Sequence, residues 1–247
     1  MKTVIVADLG INHHGNMGLA RKMIADVAEC GVSIAKFQYY SVNSLFGDST
    51  KPTYNKEIYD QVKPSELDQP KIEQLMRWCE IEGIEFGCSA FDADRFNILE
   101  SLGIKSHKAA SRVARFDRAL TEQMLATGKT TYVSLGFGAT GYDSVKYPNL
   151  RTLYCVASYP NEYSDLCMPK SFKDSDYCGI SLHSFSPVPG MIAISRGAQV
   201  VEVHYTTDKG LAVVSGGFDH TSSLDKDELK QLVQFARQAE KITPYCE

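Results

Sequence analysis

YCGISLHSFSPVPGMIAISRGAQVVEVHY, residues 177–205, decides the architecture. YCGISLH (177–183) is an apolar, strand-like run, a helix pattern covers roughly 189–197, and QVVEVHY (199–205) is strand-like again. Strands that read as continuous apolar runs are covered on both faces, and a strand–helix–strand unit is the building block of a parallel sheet. Each of these two strands ends in a histidine, His183 and His204.

Outward from this unit the alternation continues through the chain. TVIVADL (3–9) predicts a strand, and Ala20, Met23, Ile24, Val27 and Ala28 fall on one helix face. VSIAKFQ (32–38) is a second strand, followed by a long loop to about residue 68 and a helix stripe of Ile72, Leu75, Met76 and Cys79. IEFGCSA (84–90) is a third, with Asp92 placed to cap a helix running to about Leu102. SHKAA (106–110) precedes a helix over 116–127. TTYVSL (130–135) precedes GATGYDSVKYPN, which has no helical period. LRTLYCV (150–156) is the sixth strand, with a weak helix pattern near 164–173. The last helix, 226–241, follows Asp225 with Glu228 three places on, a capping box, and buries Leu229, Leu232, Val233 and Ala236.

Eight strands alternating with helices over 247 residues fit an α/β fold, a single-domain (β/α)8 TIM barrel spanning residues 1–247. A doubly wound open sheet is the alternative. No GxGxxG or GxxxxGK[ST] follows the first strand, which weighs against it.

Composition narrows the function. Hydrophobic residues at 43% and charged residues at 23% are those of a globular chain. A net charge of −4 argues against nucleic acid as a partner. No apolar run approaches the ~20 residues of a membrane span, and the N-terminus lacks a signal-peptide core. The seven cysteines (Cys30, Cys79, Cys88, Cys155, Cys167, Cys178 and Cys246) form no CxxC pair and read as free thiols of a cytoplasmic protein.

Barrel chemistry sits at the C-terminal strand ends. There the chain places Asp8, Asn12, His13 and His14, then Lys36 and Gln38, Ser89, Lys108 and Ser111. Ser134, Ser158 and Tyr159, His183, Glu202 and His204, and finally Asp219 and His220 complete the set. A lysine inside an apolar strand must be paired or hold an anion. Lys36 and Lys108, with Ser89, Ser111, Ser134 and Ser181, read as a phosphate and carboxylate site; pairing with Asp8 and Glu202 is the structural alternative. His183 and His204, near Glu202 and Asp219, are a natural start for a divalent metal site. His107, one residue before Lys108, should point away from the interior.

GINHHGN (10–16), KFQ (36–38), SAFD (89–92), HKAAS (107–111), YCVASYP (154–160), GISLHS (179–184), VEVHYT (201–206) and GFDHTSSL (217–224) together resemble the synthase domain of the sialic acid synthase family. The resemblance runs from about residue 4 to 240. It implies a (β/α)8 barrel with a divalent metal, Mn2+ or Mg2+. It also implies condensation of phosphoenolpyruvate with the aldehyde of an N-acetylated hexosamine, releasing phosphate by C–O cleavage. By the same resemblance Lys36, Ser89, Lys108, Ser111, Ser134 and Ser181 bind phosphoenolpyruvate, and His183 and His204 bind the metal. Asp8, Glu202 and His204 carry the chemistry, with Asp8 or Glu202 orienting or deprotonating the water, and Asn12, Tyr159 and Asp219 meet the sugar.

The chain departs from the family pattern at several points. Asp8 stands for Glu, Arg112-Val113 for Gly-Glu, Ala157 for a polar residue and Leu182 for Asp. The C-terminal antifreeze-like domain, which in the family offers an Arg to the neighbouring subunit's sugar, is not expected in this chain. The expectation is therefore a phosphoenolpyruvate-dependent synthase with an altered acceptor, its partners being small molecules and its oligomeric state open to a homo-oligomer. A ligand-binding relic of a synthase and another metal-dependent sugar isomerase or aldolase are the rival readings.

Overall fold

The computed structural model describes residues 2–47, 50, 55–211 and 218–242. Its strands are β1 (Val4–Gly10), β2 (Ile34–Tyr39), β3 (Glu85–Ala90), β4 (His107–Ala109), β5 (Thr131–Ser134), β6 (Leu150–Cys155), β7 (Gly179–Leu182) and β8 (Val200–Tyr205). They are hydrogen-bonded in chain order, and β1 pairs with β8, so the sheet closes on itself. All pairings are parallel. A two-residue β9 (Ser223–Leu224) adds to the top of β8.

Side chains alternate between the barrel interior and the surrounding helices. From β1, Ile5, Ala7 and Leu9 face outward into the main core with Met23, Ile24 and Val27 of α1 (Met17–Glu29). Val6 faces inward, where it meets Ile34, Leu153 and Val200 as an apolar plug at the barrel floor. Above that plug the inward positions turn polar, and this change of character places the site. Gly87 makes room there: a Cβ on it would meet Ile34 Cγ2 at 2.6 Å and the stem of Lys36 at 3.4 Å.

The helices follow their caps. Asn16, Asp68, Asp92 and Asp225 each accept a backbone N–H of the first turn of α1, α3 (Gln69–Ile81), α4 (Ala93–Ser101) and α9 (Lys226–Ala239). Asp225 and Glu228 close the expected capping box. His107 lies outside the barrel interior, buried against Phe96 of α4 with Nε2 at 2.9 Å from Glu100.

Three sequence expectations require correction. The long loop before residue 68 holds a π-helical turn, Asn43–Gly47, and α2 (Lys56–Val62), whose short apolar stripe was too brief to show a period. The helix expected over 116–127 is α6 (Arg118–Ala126), capped by Asp117, which accepts from Leu120 N; ahead of it stands a short helix absent from the sequence reading, α5 (Ser111–Phe116). The helix pattern near 164–173 yields only a single 3-10 turn, Tyr163–Asp165, as Pro169 follows too soon for a helix to propagate. The β5–β6 connection is free of helix, as expected. After β7 comes α7 (Val188–Ser195), and after β8 the short α8 (Phe218–Thr221).

No helix among the described residues is long and apolar enough to cross a membrane. Cys30, Cys79, Cys88, Cys155, Cys167 and Cys178 are free thiols, and Cys246 lies outside the described residues.

Candidate active site

Strand register assembles the site. Asp8 aligns with Lys36 on one side and His204 on the other, Gln38 with Ser89, Ser89 with Lys108, and Ser181 with Glu202. These residues open into one cavity of about 210 Å³ at the C-terminal strand ends. Asp8, Lys36, Ser89, Lys108, Ser111, Ser134, Tyr159, Ser181, His183, Glu202, His204 and Asp219 all line it. Asn12 does not: its Nδ2 donates to the Tyr205 carbonyl at 2.9 Å and to Ser223 Oγ at 3.0 Å, tying the β1–α1 loop to β8 and β9. The structure therefore gives Asn12 Nδ2 a scaffolding role.

Two lysines dominate the floor of the cavity. Lys36 Nζ donates to Asp8 Oδ2 at 2.5 Å and lies 3.4 Å from Ser89 Oγ and 3.9 Å from Glu202 Oε2. Lys108 Nζ donates to Ser134 Oγ at 2.8 Å and lies 3.5 Å from Glu202 Oε1, which also accepts from Ser181 Oγ at 2.8 Å. Glu202 thus stands between the two ammonium groups and fixes their spacing. The pairing foreseen as the structural alternative is real. It also places both lysine amines in the cavity wall.

The protonation of these groups follows from burial against partners. Burial raises the Asp8 carboxyl, but Lys36 and His204 outweigh it and hold Asp8 below the usual carboxylate range. Burial also opposes charge on Lys36, yet Asp8 and Glu202 raise it overall. Lys108 is lowered, because burial and the nearby Lys36 exceed what Glu202 returns. Burial raises Asp219. Asp8 Oδ1 is buried without a hydrogen-bond partner and is the acceptor left available.

His183 and His204 sit with ring centroids 5.4 Å apart, and Tyr159 stacks on His183 at 3.8 Å. His183 Nδ1 meets the Val156 carbonyl at 2.9 Å, so it carries the proton and Nε2 keeps its lone pair. Burial pushes His183 down to about 3, so the ring is neutral. His204 lies between two carboxylates, with Nε2 3.7 Å from Asp8 Oδ2 and Nδ1 3.7 Å from Asp219 Oδ2. Its Nδ1 is buried without a hydrogen-bond partner. Among the described residues no three His, Cys, Asp or Glu side chains gather closely enough to cage a metal alone. Two neighbouring imidazoles, with the Nε2 lone pair of His183 free, do suit an open site completed by water or substrate.

The mouth of the cavity differs. Tyr40, Leu45, Phe46, Val62, Phe91 and Phe137 line it with apolar surface, and Arg112 lies among them. Phe137 adopts φ 52° and is exposed at the rim. Sequence reasoning did not find these aromatics, since loop residues carry no period. Gln38 was visible at its strand end, and Gly10 makes space beside it: a Cβ there would lie 3.1 Å from both Gln38 Nε2 and Asp219 Oδ2.

The NeuB family model matches residues 23–245. The chain belongs to the NeuB family. Among the relatives of this NeuB-family chain is the N,N'-diacetyllegionaminic acid synthase of Legionella pneumophila, 29% identical across 98% of this chain and 73% of that protein. Another is the human N-acetylneuraminate-9-phosphate synthase, 28% identical across 96% of this chain and 70% of that protein. The crystal structure of the N-acetylneuraminic acid synthetase from Leptospira borgpetersenii serovar Hardjo-bovis, in complex with citrate, superposes with a TM-score of 0.87 at 27% identity. The match covers 100% of this chain and 87% of that one.

Proposed function

We propose that this chain is a phosphoenolpyruvate-dependent synthase. It joins carbon three of phosphoenolpyruvate to the aldehyde carbon of a hexosamine-type or related sugar, giving a 3-deoxy-2-keto sugar acid and phosphate. The observation that carries this reading is the pair of buried lysines, Lys36 and Lys108, held by Glu202 among the hydroxyls of Ser89, Ser134 and Ser181. Such a set suits a small ligand bearing both a phosphate and a carboxylate.

On this reading each ammonium turns one donor from its protein partner to the ligand anion. Glu202 keeps the two cations apart and stays hydrogen-bonded to Ser181. Ser111, whose hydroxyl faces Cys155 Sγ at 3.2 Å, and Ser134 add neutral donors. Asp8, ionised beside Lys36 with Oδ1 unpartnered, orients the water that adds at carbon two and takes its proton. The C–O bond then breaks and phosphate leaves, so the 2-keto group forms without an outside oxidant. Tyr159 and Asp219 border the sugar end.

His183 Nε2 and His204 are the residues that would hold a divalent cation such as Mn2+ or Mg2+. Such an ion supplies Lewis-acid polarisation of the aldehyde oxygen.

Phosphoenolpyruvate labelled with 18O in the bridging position tests the reaction. Phosphate retaining the label, formed only with an acceptor present, is expected. Label left in the organic product, with hydrolysis of the P–O bond, contradicts it.

A further inference from the structure

We propose that the acceptor sugar carries an anionic group, a phosphate ester or a carboxylate, and that Arg112 recognises it. This inference rests on the synthase reading above and adds the class of acceptor.

The argument begins with charge balance around the cavity. Lys36 and Lys108 each lie within ion-pair distance of a carboxylate. Arg112, on the first turn of α5, lines the same cavity and is half-buried. No Asp or Glu among the described residues pairs with it. Its only polar contact among them is Nη2 to the Leu45 carbonyl at 3.5 Å, a long bond. Arg95, Arg118 and Arg237 each find a carboxylate at 2.9 Å or less, and of the described arginines without one Arg112 is the one that lines this cavity. The neighbouring Val113 turns into the core, so it offers no polar partner to Arg112.

A partly desolvated cation without a counter-charge is unfavourable, and an anionic ligand removes that cost. The guanidinium is also held for the purpose. Phe46 lies against it, with its ring centroid 5.1 Å from Cζ, a cation–π contact on the guanidinium. The planar guanidinium fork is suited to two parallel hydrogen bonds to a phosphate or carboxylate. The rest of the mouth, with Tyr40, Phe91 and Phe137, presents rings and, among the described residues, no second cation. Arg112 is therefore a specificity-determining residue at the acceptor end, separate from the lysines of the floor.

The test uses the full chain with phosphoenolpyruvate, Mn2+ and aldoses in matched forms: neutral, terminal phosphate and terminal carboxylate. Phosphate release gives kcat and KM for wild type, Arg112→Gln and Arg112→Lys. Circular dichroism melting of each variant confirms folding. In wild type an anionic form is expected to exceed its neutral counterpart by about tenfold or more in kcat/KM. Arg112→Gln should cut that ratio by roughly 10- to 100-fold, mainly through KM, and Arg112→Lys should restore part of it. The phosphate and carboxylate arms decide which anion is bound. A neutral aldose preferred by wild type, or a ratio unmoved by Arg112→Gln, overturns the inference while leaving the synthase reading standing.

If no aldose releases phosphate, the synthase reading fails instead. Calorimetry with the corresponding alditols, at saturating phosphoenolpyruvate, then decides the inference by itself. Arg112-dependent preference for the anionic alditol supports anion recognition, and equal binding of both forms refutes it.

Discussion

The floor and the mouth of the cavity are built on different principles. Floor residues stand on strands, where register sets their neighbours: Asp8 beside Lys36 and His204, Ser181 beside Glu202. They are nearly inaccessible, and their charges are mutually compensated. Mouth residues stand on connections and on short helices, and include the turn Asn43–Gly47, the rim ring of Phe137 and the guanidinium of Arg112, which pairs with no carboxylate among the described residues. The floor resists change because each side chain leaves another unpaired when removed. The mouth can alter acceptor choice without disturbing that set.

The largest effect should come from breaking the floor. Lys36→Met leaves Asp8 and part of Glu202 buried without their cation. We expect a loss of at least about 10³-fold in turnover together with roughly 3–5 kcal/mol of stability, read by phosphate release and urea unfolding. Turnover within tenfold of wild type would show that the floor is not the reacting end.

His183→Asn sharpens the division between anion and metal functions. It should reduce turnover by about 10³-fold and abolish the thermal shift produced by Mn2+, while the shift produced by phosphoenolpyruvate alone persists. Undiminished metal-dependent turnover would remove His183 from the metal site.

The wall behind the floor carries a pH signature. His13 is fully buried against Phe37, and burial pushes it down to about 4 from 6.5. The unfolded chain therefore takes up the proton first. The stability conferred by the neutral ring is complete above about pH 6.5 and falls as pH drops toward 4. The shift amounts to about 3 kcal/mol. Urea unfolding across this range should show that slope, and His13→Asn should reduce it by the His13 share, leaving what the likewise depressed His183 and His220 contribute. An unchanged slope in the variant would assign the acid loss to other groups.

The smallest effect belongs to the mouth. Phe46→Ala removes the ring beside Arg112 and should raise acceptor KM about 3- to 10-fold with little change in kcat. A fall in kcat of the size expected for Lys36→Met would merge the two regions.

The same division explains what the sequence made legible. The barrel followed from apolar strand runs, and the floor from polar residues interrupting those runs near their ends. The lysine pair was visible because an ammonium in an apolar strand needs a reason. Asp92 and Asp225 marked helix starts through side chains that accept first-turn amides. The mouth was not legible, because Tyr40, Phe91 and Phe137 lie where neither a 3.6-residue nor a two-residue period constrains them. Asn12's hydrogen bonds were likewise hidden, since position at a strand end does not reveal that its amide turns back to Tyr205 and Ser223. α5 (Ser111–Phe116) was not legible because six residues are too few to show a helical period.

Phosphorus NMR of the protein with phosphoenolpyruvate and Mn2+ tests the reading most directly. The acceptors are N-acetylmannosamine, mannose, their phosphates and pentose phosphates, with a control lacking sugar. Inorganic phosphate that grows only when an acceptor is present is the predicted result, with the productive acceptor naming the substrate class. Phosphate released at the same rate without sugar, or no release from a protein that binds phosphoenolpyruvate, would contradict it.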